Sequence, residues 1–85
     1  MPKSIRSDGL RALGRAVAEI RRERSLTQRE FAASIGSSKT FIARIELGTR
    51  RIDVVELVVL ARLIGVEPAD LLERVADATP SDQEL

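Results

Sequence analysis

Apolar residues recur at three- and four-residue intervals along this chain, in short stretches divided by polar breaks. Leu10, Leu13, Val17 and Ile20 set a first stripe, Phe31 and Ile35 a second, and Ile42 and Ile45 a third. Leu57, Leu60, Ala61 and Ile64 form a fourth, and Leu71 and Leu72 a fifth. That spacing gathers each set on one side of an α-helix, and no stretch alternates with the period of two expected of a half-buried strand. The breaks hold residues that start and stop helices. Ser7 or Asp8 can cap a first helix ending near Arg24. Thr27, with Glu30 three positions on, is a capping box for a second helix that stops at Gly36. Ser38, ahead of Ser37, caps a third that ends before Gly48. Asp53 and Glu56 repeat the box for a fourth stopped by Gly65, and Pro68 suits the first turn of a fifth. The pattern predicts an all-α fold of five short helices over residues 9–75. Residues 1–8 are expected to be a flexible lead-in, and the acidic residues 76–85, which have little to bury, a disordered tail.

Composition narrows the chemistry. With 85 residues the chain supports one core, and with only 2% aromatic residues that core must be built from Leu, Ile, Val and Ala. There is no Cys and no His, which removes disulfides, thiolate metal sites, the usual proton shuttle and the commonest metal ligand. No paired carboxylates stand out either, so neither an enzyme nor a metal or cofactor is expected. No apolar run approaches the roughly 20 residues of a membrane helix. The segment with Lys3 and Arg6 lacks the apolar stretch of a signal peptide, so a cytoplasmic protein is expected.

Charge is informative only once it is divided along the chain. Residues 1–24 hold seven basic and three acidic residues, and residues 25–52 hold five and two. Residues 53–85 reverse the balance, with two basic and eight acidic residues. A basic front and an acidic back suit a molecule that turns one face towards phosphates.

The segment QREFAASIGSSKTFIARIEL, residues 28–47, gives that face a shape. Ala32 is small enough for two helices to cross closely, and Gly36 tolerates a left-handed backbone in the turn between them. Phe31 and Ile35 can then face Ile42 and Ile45. This is the geometry of a helix-turn-helix, whose second helix enters the DNA major groove. On LTQREFAASIG (26–36), IARIELGTR (42–50) and LARLIGVEPADLL (60–72), the chain resembles the lambda-repressor/Cro-type, XRE-like helix-turn-helix regulators. The resemblance covers roughly residues 10–73. RRIDVVEL (50–57) is also similar to a subgroup of small single-domain members. Two positions depart from the pattern: Ser25 stands where many members have Gly or Asn, and Ile52 and Asp53 where many have Pro.

The resemblance implies site roles. Lys39, Thr40, Ala43 and Arg44 fall where members read bases: Lys39 can donate to guanine O6 and N7, Thr40 can bond a base or touch a thymine methyl, and Ala43 offers apolar contact only. Arg44 can reach either guanine or phosphate. Gln28, Ser37, Ser38, Arg50 and Arg51 are expected at phosphates. Phe41 either packs against the first two helices or stands at the groove wall. Arg21 and Glu46 are expected to pair and tie the reading helix to the scaffold.

Val55, Val59 and Leu63 make a second apolar stripe on the fourth helix, expected to be a twofold dimer interface on a palindromic operator. The expected function is a sequence-specific DNA-binding transcriptional regulator, a repressor or autoregulator. Two further readings stay open: the antitoxin of a toxin–antitoxin pair, with a small toxin protein as second partner, and a restriction–modification controller.

Overall fold

The computed structural model describes residues 7–85. The expected lead-in at residues 1–8 lies outside the described residues except for Ser7 and Asp8, which begin the first helix. The helices are α1 (Asp8–Glu23), α2 (Gln28–Ser34), α3 (Lys39–Leu47), α4 (Val54–Ile64) and α5 (Pro68–Ala78), with no strand among the described residues. Four of the five starts are set by a local side-chain bond. The Ser7 hydroxyl accepts from Leu10 N, and the Ser38 hydroxyl accepts from Phe41 N at 3.1 Å. Both capping boxes close: Thr27 with Glu30 at 3.1 and 2.8 Å, and Asp53 with Glu56 at 2.7 and 3.0 Å. α5 lacks a side-chain cap and starts on Pro68, whose missing N–H would have been unpaired anyway.

The core is aliphatic around one ring. Phe31 and Ile42 are fully enclosed where α2 meets α3, among Leu13, Val17, Ile45, Leu60, Ala61, Ile64 and Leu71. α1 packs along both α3 and α5, α2 rests on α3, and α4 meets α5. Ala32, 2% exposed, lies in this core, and Gly36 turns the chain at φ +69°.

The structure corrects three details. Leu71 is buried but Leu72 is 54% exposed, because adjacent helical positions point about 100° apart; the inward partner of Leu71 is Val75. Leu10, at the end of the first stripe, is only partly covered. Residues 76–78, expected in the tail, belong to α5, which continues to Ala78 and closes with the Thr79 hydroxyl donating to the Val75 carbonyl. The extension rests on α1: a Cβ at Gly9 would lie 2.7 Å from Thr79 Oγ1 and 3.0 Å from Val75 Cγ1.

Candidate nucleic-acid interface

α3 divides its residues cleanly. Ile42 and Ile45 turn into the core, while Lys39, Thr40, Arg44 and Leu47 are exposed and Ala43 is half-covered. At 100° per residue, Thr40, Ala43, Arg44 and Leu47 occupy one outward sector with Lys39 at its N-terminal edge. Glu46 borders that sector on one flank and Phe41 on the other. A helix bearing donors and an apolar contact on its outward face can meet base edges in a major groove, provided something holds it rigidly.

Glu46 supplies one anchor. Its carboxylate accepts from Arg21 Nε at 2.8 Å and Nη2 at 3.0 Å, and from Gln28 Nε2 at 2.9 Å. Arg21 Nη1 also donates to the Leu26 carbonyl at 2.9 Å, so one guanidinium joins α1, the α1–α2 turn and α3. The Arg21 and Glu46 side chains are only 14% and 7% exposed. Burial pushes the Glu46 carboxyl up, but the bonds from Arg21 and Gln28, with the charges of Arg21 and Arg22, outweigh it and hold Glu46 below its ordinary pKa. The same pairing raises Arg21. Gln28, expected at a phosphate, also takes part in this anchor. One amide N–H is engaged by Glu46, and the second has no hydrogen-bond partner among the described residues.

Arg50 supplies the second anchor. It pairs with Glu56 at 2.8 and 3.3 Å, bonds the Arg51 carbonyl, and lies over the Phe41 ring at 5.2 Å. The bond to Glu56 raises Arg50, and together with the Asp53 N–H it lowers Glu56. Phe41 is half-buried against the core and lines a groove with Ile35 at the end of α2 and with Val55, Val59 and Leu60 of α4. Arg51 is exposed. Ser37 is half-buried in the turn, its N–H donating to the Ala32 carbonyl, while the capping Ser38 hydroxyl retains its own proton as a donor.

Two contacts are invisible to stripe counting. A Cβ at Gly14 would fall 2.4 Å from the Ile45 carbonyl oxygen and 2.6 Å from that of Glu46. α1 therefore touches the end of the reading helix backbone to backbone, and the only sequence signal is a glycine inside an otherwise good helix. Arg24 donates to the Ile64 carbonyl at 2.5 Å and lies over Phe31 at 5.9 Å, holding the end of α4. Nothing local in the sequence marks it.

On α4, Val55, Val59 and Leu63 are 67%, 47% and 52% exposed. They line a groove of about 330 Å3 with Ile35, Phe41 and Leu60. No helix among the described residues is long and apolar enough to cross a membrane.

A capped, outward-facing helix held across a tight turn on a five-helix frame defines a helix-turn-helix DNA-binding domain. Comparison with known proteins agrees: the Helix-turn-helix family model matches residues 17–71. The uncharacterized HTH-type transcriptional regulator y4dJ of Sinorhizobium fredii is 34% identical over 76 residues, covering 89% of this chain and 91% of the relative. Among solved structures, the clp gene regulator ClgR from Corynebacterium glutamicum superposes with a TM-score of 0.67 at 28% identity, covering 84% of this chain and 92% of ClgR. An XRE-family like protein from Pseudomonas syringae pv. tomato gives 0.64 at 35% identity, covering 85% and 88%. The chain belongs to the XRE-type helix-turn-helix family of DNA-binding transcriptional regulators.

Proposed function

We propose that the protein is a homodimeric, sequence-specific regulator, a repressor or autoregulator, that sets α3 into the major groove of a palindromic operator. Lys39, Thr40, Ala43 and Arg44 meet base edges. Ser37, Ser38 and Arg51 reach the flanking phosphates, joined by the donors of Gln28 and Arg50 left over from Glu46 and Glu56. The observation that carries this reading is the outward sector of α3, with donors exposed on a helix anchored from both sides. The dimer is supported by the exposed Val55, Val59 and Leu63 stripe, a contiguous apolar face of the kind that proteins cover with a partner. A twofold pairing through α4 buries the same residues of both chains, and with the axis running along the direction that α3 faces it presents two copies of α3 to one side.

Selection of bound duplexes from a random library, followed by affinity measurement at two salt concentrations, tests the proposal. Expected is a palindrome with half-sites one helical turn, about 34 Å, apart. With about six phosphates neutralised per dimer, affinity falls roughly a thousandfold between 50 and 200 mM salt. Enrichment of no sequence, with binding insensitive to salt, would contradict it.

A further inference from the structure

The flank of α3 opposite Phe41 and Arg50 carries a second basic feature. Between α1 and the end of α3 lies a basin of about 440 Å3, lined by Arg15, Arg22, Gln28, Glu46 and Leu47. Both acidic groups at its edge are engaged: Glu46 by Arg21 and Gln28, and Glu19 by Arg74 of α5 at 2.5 Å. Arg15 and Arg22 are exposed, and their side chains form no ion pair or hydrogen bond with another described residue. Seven residues span two turns, so the two guanidinium groups spring from one edge of α1, about 10 Å apart along its axis. Leu47 follows Thr40 and Ala43 at intervals of seven and four, so the basin opens beside the sector that carries the base-reading positions.

We propose that Arg15 and Arg22 form a second phosphate-binding wall, gripping the DNA backbone on the α1 side of the reading helix while Arg51 serves the other side. The proposal rests on the DNA-binding reading above and adds contacts outside the helix-turn-helix itself. Guanidinium forks match phosphate oxygens, and here two of them keep all their N–H donors free of ion pairs with described residues. The apolar Leu47 side chain between the wall and α3 fills the space against the sugar edge. A grip on one side leaves α3 free to rock about its axis. Contacts on both sides fix its angle in the groove, and phosphate contacts set register in this way without themselves reading sequence.

The test is titration of fluorescein-labelled 30-base-pair duplexes of random sequence at salt concentrations from 50 to 200 mM, with helicity checked by circular dichroism. The paired variant Arg15→Ala, Arg22→Ala should lower the slope of log affinity against log salt by about 0.9 for each arginine, or about 1.8 per bound subunit. The paired Arg15→Lys, Arg22→Lys variant should keep the slope. An unaltered slope in the alanine pair while the parent protein binds normally overturns the wall and spares the DNA-binding reading. A slope that the lysine pair fails to preserve also overturns the wall. A parent protein that shows no salt-dependent binding overturns both.

Discussion

Ser25 and Glu46 show how far single positions can be read. Ser25 adopts φ +57°, the only positive φ at a non-glycine position among the described residues, because the α1–α2 turn demands a left-handed residue there. An L-residue in that region costs about 1–2 kcal/mol. Ser25→Gly should therefore stabilise the protein by about 1 kcal/mol, read as a higher urea midpoint at unchanged slope. Glu46 is foreseeable as the partner of Arg21, but not as the acceptor for Gln28, since only the folded α2–α3 angle brings that amide within 2.9 Å. Glu46→Ala should cost about 3 kcal/mol at pH 7, by leaving Arg21 in a pocket without its counter-charge. Because folding lowers the Glu46 pKa, its contribution is present above the ordinary value of about 4.5 and lost as pH falls through the lower folded value. The gap between the parent and Glu46→Ala should thus narrow below about pH 4 in acid-titrated melts. A gap constant down to pH 3 would contradict the ionised pairing.

At the scale of elements, the starts and stops of α1 to α4 are legible because each is decided by side chains within three or four residues. Thr27–Glu30, Ser38 and Asp53–Glu56 all cap as their spacing implies. The end of α5 was not legible, since it depends on Val75 and Thr79 lying against Gly9, more than sixty positions away in sequence. For the same reason the α1–α3 contact was hidden. Gly14 reads as a weak point in a helix until the carbonyls of Ile45 and Glu46 are seen against it. Gly14→Ala should gain helix propensity locally yet destabilise the fold by about 3 kcal/mol, because the obstructing atoms are backbone and cannot rotate away. A melting temperature that rises in this variant would contradict the close approach. The pattern of apolar residues thus gives the helices, while the distance between their backbones rests on a residue that contributes no side chain.

At the scale of the whole molecule, the basic front and acidic back follow the architecture. α1 and the α2–α3 pair each hold a basic excess, α4 is balanced between Glu56 and Arg62, and acidic residues dominate α5 and the segment after Ala78. The apolar stripe on α4 lies next to Phe41, so an α4-mediated dimer would border the reading helix and fix the distance between its two copies. Val59→Lys places a charge in that stripe and should yield a folded monomer in light scattering. Its affinity for a palindromic duplex should drop by more than tenfold, and a variant that remains a stable dimer would move the interface elsewhere. The central claim is that the outward face of α3 reads bases. It is tested most directly by repeating the random-duplex selection with Lys39→Ala. The variant should lose preference at one symmetric pair of positions, with the remaining positions and the half-site spacing retained. An identical preferred sequence from the variant and the parent would contradict it.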